Sequence, residues 1–398
     1  MQFPLQGIRV VELARILAGP WAGQTLADLG ATVVKVESPE GDDTRRWGPP
    51  FIEDGNDVAA AYFHSCNRGK LSITADFKSK EDTAKVRELI ANADVVIENF
   101  KVGGLKKFGL DYESLKRINP RLIYCSITGF GQSGPYAERA GYDFIVQGMA
   151  GIMDLTGEPG REPQKIGVAF GDIFTGLYSV IAIQAALLLR SATGEGQHID
   201  MALLDSAVGV LANQAMNFLA SGKSPTRLGN AHPNIAPYQV FPVSDGSVII
   251  ACGNDAQFSR VCDVLQIASL ADDIRFKTNA DRVHHRADLT SILEARTKHF
   301  NRADLLAELE RVGVPAGPIN TVKDVFADPQ VEHRGMAIMN DGVPGIRTPI
   351  IFSGIPMTSH NKSPKLGEHN GKIQSDWSPI PDARQPGREG ASLPPSSV

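Results

Sequence analysis

An α/β fold with a parallel sheet, followed by a smaller α+β domain, is predicted for this chain by three observations. Between residues 7 and 130, short β-branched runs alternate with helically spaced segments, the pattern of βαβ units. After residue 220 the polar stretch SGKSPTRLGN interrupts the chain, and a hairpin and a series of helices follow it. The length of 398 residues is enough for two cores.

In order, IRVVEL, ATVVKVES, LSITADF, DVVIENF and RLIYCSIT read as strands. WAGQTLADLG, KEDTAKVRELIANA and DYESLKRIN read as the helices between them. A parallel sheet binds ligands at the carboxyl ends of its strands. The exits that matter are therefore Ala14 to Pro20, Glu37 to Asp43, Glu98 to Lys101 and Thr128 to Gly134. The first, ARILAGPWAG, is a tight turn into a helix that can offer N–H groups to an anion. Glu37 sits where an acidic residue would take a ribose hydroxyl, but AGPWAG is not GxGxxG, and Pro20 lacks a needed N–H. The true match, GFGQSG at 129 to 134, runs into Pro135 and a polar segment and not into a helix. Arg15, Lys35, Arg45, Arg46, Arg68, Lys70, Lys101, Lys106 and Lys107 gather near these exits. In a net-acidic chain they read either as a solvated rim or as the seat of a polyanionic, phosphate-bearing ligand.

The stretch 163 to 197 centres on Asp172. From Ile173 to Arg190 it is apolar nearly all round, so it reads as a helix buried in a large core, with Asp172 at its entrance. The simplest role for that aspartate is an N-cap. Gly171 and Gly176 leave backbone open beside it, however, and Val168, Ala169 and Phe170 could keep water away. A carboxylate with a reference pKa of ~3.9 needs no base to attack an activated acyl group, only access and a dry pocket. Downstream, Ile199 to Gly222 reads as another long amphipathic helix, YQVFPV and SVIIACG flank SDG as a hairpin, and helices dominate as far as VPAGPI. MAIM and TPIIFS are further strand-like runs, and the tail from Asp376 is rich in Pro, Ser and Gly and reads as mobile or draped over the surface.

A composition of 42% apolar and 21% charged residues is that of an ordinary soluble protein, and a net charge of -5 argues against nucleic acid or an anionic membrane as partner. Asp172, Gly176, Tyr178 and the polar exit SATGEGQ favour a buried soluble helix over a membrane span. The four cysteines, Cys66, Cys125, Cys252 and Cys262, have no metal-ligand spacing, and adjacent His284 and His285 point to different helix faces, so no metal site is expected. The amino-terminal stretch has no signal-peptide pattern, which makes cytoplasmic the expected location.

Together these pieces resemble the class III CoA-transferases, the CaiB/BaiF family that includes formyl-CoA:oxalate CoA-transferase, carnitine CoA-transferases and α-methylacyl-CoA racemase. The resemblance runs from about residue 5 to about residue 370. Its carriers are RVVELARILAGPWAGQTLADLGATVVKVESPEGDDTR, YFHSCNRGKLSI, VIENFKVGGLKKFGL, YCSITGFGQSGPYAERAGYDFIVQGMAG, VAFGDIFTG, TGEGQHIDMALLD and GVPAGPIN with FADPQV. TRLGNAHPNIAPYQVF and GNDAQFSRVCDVL look most like the transferases that use succinyl-CoA and dicarboxylates.

The resemblance implies a Rossmann-like large domain, a small domain between two linkers and an interlocked homodimer. The boundaries expected are 1–198 for the large domain, 199–224 for a helical linker, 225–318 for the small domain and 319–398 for the return. It implies an acyl-CoA and a carboxylic acid as substrates, the CoA thioester being substrate and no cofactor being bound permanently. Asp172 matches the nucleophile, which would form an acyl anhydride and then an aspartyl-CoA thioester. Gly253 is the expected oxyanion donor. Tyr142 is expected near the nucleophile, where the racemase branch has histidine; its alternative is a core tyrosine with a satisfied hydroxyl. Arg15, Ile16, Ala18, Leu71, Asn99, Phe100, Lys107 and Arg139 are the expected CoA-binding positions. Leu17 falls in the substrate site where the formyl enzyme has glutamine, and Ser38 replaces an arginine, departures that point away from formyl or oxalyl specificity. Arg227 and His232 could pair the free carboxylate of a dicarboxylic acid, or could belong to an exposed linker turn. Two other functions stay open: an acyl-CoA racemase of the same family, and a non-catalytic CoA-binding protein.

Overall fold

The computed structural model describes residues 3–373 and Trp377. In chain order come β1 (Arg9–Glu12), α1 (Ala18–Asp28), β2 (Thr32–Glu37), β3 (Phe51–Asp54), β4 (Asp57–Ala60), α2 (Ala61–His64), β5 (Leu71–Thr74), α3 (Lys80–Ala91), β6 (Val95–Glu98), α4 (Tyr112–Lys116) and β7 (Ile123–Thr128). There follow α5 (Asp143–Met149), α6 (Ile152–Leu155), α7 (Phe170–Thr193), β8 (His198–Ala202), α8 (Leu203–Gly209), α9 (Ala212–Ser221), β9 (Tyr238–Val243), β10 (Gly246–Ala251) and α10 (Asp255–Val264). The chain forms two compact units. One takes the chain up to Ala140, Asp172–Ala202 and the chain from Ile338 onward; the other takes Gly141–Gly171 and Leu203–Ala337. The sequence reading placed Gly141–Gly171 with the sheet, took 199–224 as a linker and began the return at 319, whereas the second unit takes Gly141–Gly171 and all of Leu203–Ala337. The reason is local packing: α5 lies against α8 and α6, both in the second unit.

The first unit is built on a six-stranded sheet in the order β5-β2-β1-β6-β7-β8, every pair parallel. Counting these strands along the chain gives the doubly wound order 3-2-1-4-5-6, whose switch point lies between β1 and β6. Val10, Val11, Val33, Val34, Val95, Val96 and Ile97 are fully buried, because both faces of a parallel sheet are covered. All five strands expected from the sequence are present; the β3–β4 hairpin and β8 are additional. The segment 199 to 222, expected as one helix, is instead strand, helix and helix, with a break where Ala212 adopts a φ of 47°. In β8 the alternation His198, Ile199, Asp200, Met201 is a period of two, and pairing with β7 outcompetes the helical reading.

Helix α7, 24 residues long, is not buried all round. Thr175, Ser179, Val180, Ile183, Ala186, Leu187 and Arg190 face the interior, while Leu177, Tyr178, Ile181, Leu188 and Leu189 are exposed. By length and composition it is the one described helix that could cross a membrane, with 39% of its most apolar window buried. Its buried face nonetheless makes specific polar contacts with the sheet unit. Arg190 pairs with Asp94 at 2.7 Å and donates to the Arg121 carbonyl, fixing the far end of α7 to the entrances of β6 and β7. Near its start, α7 meets α1 so closely that a Cβ on Gly176 would lie 2.8 Å from the Ala18 carbonyl oxygen. That glycine makes room for a helix crossing, and not for a ligand as its sequence position suggested.

The second unit carries the expected hairpin, β9 pairing antiparallel with β10 through Ser244 and Asp245, and β11 (Ala316–Pro318) extends it on the other side of β10. Phe241, Phe258, Phe276, Leu289, Leu293, Leu305 and Leu309 form its core. The four cysteines are free and buried. Apart from Trp377, the tail from Asp376 lies outside the described residues.

At the carboxyl edge of β6 and β7, Glu98 is buried, bonded to the Ser126 hydroxyl and to the Phe100 amide at 2.8 Å. Ser126 Oγ is also 3.0 Å from His198 Nε2. Burial, only partly opposed by these two bonds, pushes Glu98 up to about 7.

Two outcomes are expected. Gly176→Val should destabilise the sheet unit by about 1–3 kcal/mol, since Ala18 backbone cannot yield cheaply; a lowered urea midpoint checks this. For Glu98 the folded carboxyl holds its proton to higher pH than the unfolded one. Stability should therefore fall as pH rises from the ordinary carboxyl range to about 7 and level off above it. Glu98→Gln should flatten that slope, recovering at most about 3 kcal/mol at pH 8, as read from melting temperatures at pH 5 and pH 8.

Candidate active site

The switch point between β1 and β6 is bridged by one side chain. The Asn99 amide accepts the Arg15 N–H at 2.9 Å and donates to the Arg15 carbonyl at 2.7 Å, so Asn99 holds the first turn by its backbone. The next residue, Ile16, has a φ of 73°, a left-handed conformation that costs a β-branched residue about 1–3 kcal/mol. Its N–H donates to the Asp42 carboxylate at 3.2 and 3.4 Å, and the Cys66 thiol donates to its carbonyl at 3.6 Å. Asp42 is buried, pairs with Lys35 at 2.9 Å and accepts from the Thr44 amide and hydroxyl. Lys35 also donates to the Ala14 carbonyl at 2.9 Å and pairs with Glu12, which is shared with Lys70 at 2.8 Å. Burial opposes both charges, yet Asp42 and Glu12 hold the Lys35 ammonium above the ordinary lysine value. Lys35 in turn holds the Asp42 carboxyl below the usual range. The Arg15 and Ile16 amides are thus engaged internally. Helix α1 begins at Ala18 with no side-chain cap and no acidic residue in its first turn.

Glu37 is closed to a ribose. Its carboxylate takes two bonds from Arg45, at 2.7 and 2.8 Å, one from Ser72 and one from the Asp42 amide. Burial opposes its charge, and Arg45 and Lys35 overcome that and hold it low.

Of the nine basic residues gathered near the exits, four serve the interior: Lys35 and Lys70 pair with Glu12, Arg45 with Glu37 and Arg68 with Asp28. Arg15 and Arg46 share Asp43. Lys101, Lys106 and Lys107 lie after β6. Lys107 lines a cavity of about 740 Å³ with Phe77, Lys78, Lys80, Arg87 and Phe108. Phe100 stands beside it, its ring 6.2 Å from that of Phe77. Lys78, Lys80 and Arg87 were missed in the sequence, although the exit of β5 is a carboxyl edge like the other exits and carries ADFKSK. Leu71, by contrast, opens β5 at its amino end, opposite Val34. Ala18 and Leu17 are buried at the start of α1. Arg139 lies over the Tyr136 ring, 4.0 Å from its centroid.

Asp172 is not the cap of α7. The helix begins at Phe170, so Asp172 falls within its first turn, where the helix dipole favours an anion. The Gly171 amide is instead taken by Asp143 at 2.7 Å. Asp172 is half-buried, one helical turn before the crossing at Gly176. It therefore stands on the helix braced against the first residues of α1, in the same unit as the Arg15–Ala18 turn, Asn99 and the Lys107 cavity.

Tyr142, Arg227, His232 and Gly253 belong to the second unit. Tyr142 is 61% exposed, ahead of α5, and not a core residue. Arg227 already has a carboxylate partner, Asp154 Oδ1 at 2.8 Å, and donates to the Asp154 carbonyl. His232 accepts the Asn234 N–H on Nδ1; burial and the nearby Arg286 charge lower its pKa, which leaves a neutral ring with a donor at Nε2. The Gly253 amide donates to the Gln257 side chain at 2.7 Å.

The CoA-transferase family III profile matches residues 5–370. A succinate–glutarate CoA-transferase of Agrobacterium fabrum is 60% identical over 95% of this chain and 96% of its own. The human succinyl-CoA:glutarate CoA-transferase is 42% identical over 93% of this chain and 85% of its own. A CAIB/BAIF family protein from Brucella suis is 70% identical and superposes with a TM-score of 0.85, covering 93% of this chain and 98% of that one. Matched over nearly its whole described length and alike at this level of identity, the chain belongs to the CoA-transferase family III.

Proposed function

We propose that this enzyme moves CoA from succinyl-CoA to a short dicarboxylic acid of the glutarate type, with Asp172 as the nucleophile. The observation that carries the reading is the half-buried Asp172 in the first turn of α7, one turn from the crossing with α1. The names of relatives at 60% and 42% identity support the choice of substrates.

In this reading an Asp172 carboxylate oxygen attacks the thioester carbonyl, and the carbon–sulfur bond breaks to give a mixed anhydride and CoA thiolate. The thiolate attacks the Asp172 side-chain carbonyl and releases succinate, leaving an aspartyl-CoA thioester. The acceptor carboxylate then attacks that thioester, and the expelled thiolate attacks the acceptor's acyl carbon, restoring Asp172. No base is required, because every nucleophile is already an anion. The energy of the thioester survives only while water is excluded. The free carboxylate of the acceptor needs a donor; of the two residues proposed for it, His232 keeps an N–H at Nε2, while the charge of Arg227 is already paired by Asp154.

The CoA nucleotide is assigned to the cavity beside Lys107, where Lys78, Lys80 and Arg87 supply cations, and Phe77 and Phe108 supply aromatic faces. The protein acts as a homodimer in the cytoplasm without a resident cofactor. The exposed apolar residues of α7 support a second copy as their cover, and four free cysteines support a reducing compartment.

Incubation with succinyl-CoA and a panel of free acids, followed by mass, should show glutaryl-CoA forming; no acyl exchange with any acid removes the reading. Asp172→Asn should lower exchange by at least about a thousandfold. Hydroxylamine should modify Asp172 of the wild type only after acyl-CoA is added. Arg87→Ala combined with Lys107→Ala should raise KM for succinyl-CoA by about tenfold or more. The effect should shrink for the thioester lacking the 3′-phosphate, which separates phosphate binding from a general loss of packing.

A further inference from the structure

Four backbone groups in succession at the first turn are held by three side chains from elsewhere in the fold. Asn99 takes the Arg15 N–H and its carbonyl, Asp42 takes the Ile16 N–H, and Cys66 takes the Ile16 carbonyl. Among these residues Ile16 is the strained one, with a φ of 73° in a β-branched residue. Asp42 could do many things as a buried acid. Its carboxylate is nevertheless tied on all sides: to Lys35 at 2.9 Å, to the Thr44 amide and hydroxyl at 3.0 and 2.8 Å, and to Ile16. Lys35 completes the grip by donating to the Ala14 carbonyl two residues earlier. Such an arrangement over-determines one backbone conformation, and strain of this kind persists only where the surroundings enforce it.

We infer that Asp42, neutralised by Lys35, is a positioning residue for CoA, holding Ile16 in its left-handed conformation so that the turn into α1 is ready for the thioester before it binds. This rests on the proposed transferase function and on the expectation from the resemblance that Arg15, Ile16 and Ala18 contact CoA. Asp42 touches no substrate; it acts through Ile16. Losing the clamp lets the turn relax toward the conformations an isoleucine prefers. Binding must then restore the strained form, which taxes affinity and leaves the chemical step alone.

The test is a cycle of four full-length proteins: wild type, Asp42→Asn, Ile16→Gly and the double variant. Glycine adopts a φ near 73° without strain, so a clamp has little left to do once it stands at 16. In the isoleucine background Asp42→Asn should raise KM for succinyl-CoA by about tenfold and change kcat by less than about twofold. In the glycine background the same change should raise KM by no more than about threefold. An equal factor in both backgrounds, or a loss falling on kcat, overturns the proposal. Should Asp42→Asn not fold, Thr44→Val removes a single donor to Asp42 and should raise KM by about threefold with isoleucine at 16 and not with glycine. Titration of the wild type with free CoA separates the two readings. A wild type that binds no CoA sinks the functional assignment, while binding with equal factors sinks the clamp alone.

Discussion

Four buried charges set the geometry from which the rest of the first unit follows. Glu12 ends β1, Lys35 lies in β2, Asp42 follows β2 and Lys70 precedes β5, and their formal charges sum to zero. Removed from water, each alone would be expensive, and losing one member of such a set leaves an uncompensated charge worth about 3–5 kcal/mol. The set therefore behaves as one object that links three neighbouring strands to the turn leaving the first of them. Helix α1 is pressed so closely over it that Gly23 cannot carry a side chain without striking the Glu12 carboxylate. A charged core of this kind adds little to stability compared with well-packed apolar groups, and what it contributes here is a single defined backbone path.

From that fixed turn the site is assembled by close approach. Asn99 brings the exit of β6 to the exit of β1, so the two loops that diverge at the switch point are bonded to each other. Helix α1 leads from the turn and is met by α7 at Gly176, which sets the height of Asp172 above the sheet. Asp172 thus owes its position to packing four residues away. The dipole of α7 favours an anion there.

Much of this was legible in the chain. The five strand signals are strong because a parallel sheet is buried on both faces, and β-branched runs such as TVVKVE have no competing reading. Asp172 stood out because an apolar helix opening on a carboxylate flanked by glycines is an unusual combination. What could not be read were choices settled by tertiary contact. HIDMA joined the sheet because β7 had a free edge, although the residues after it favour a helix. The basic residues looked alike in sequence, and only the fold distinguishes Lys35 and Arg45, paired in the interior, from Lys107 at a cavity mouth. The exposed side of α7 escaped for a similar reason: an apolar helix with no polar stripe carries no mark of which face will lack neighbours. Gly253 stands just before α10 and Gln257 in its first turn, and no sequence pattern marks that glutamine side chain as turned back onto the amide expected to serve an oxyanion.

The anchoring of Arg190 gives α7 a property beyond packing. Eighteen residues of helix, about 27 Å, separate Asp172 from the guanidinium that grips Asp94 and the Arg121 carbonyl at the opposite border of the sheet. Because a helix barely changes length, the rod transmits its seating as a strut does. Drift at Asp94 or Arg190 is therefore answered at the Asp172 end of the rod.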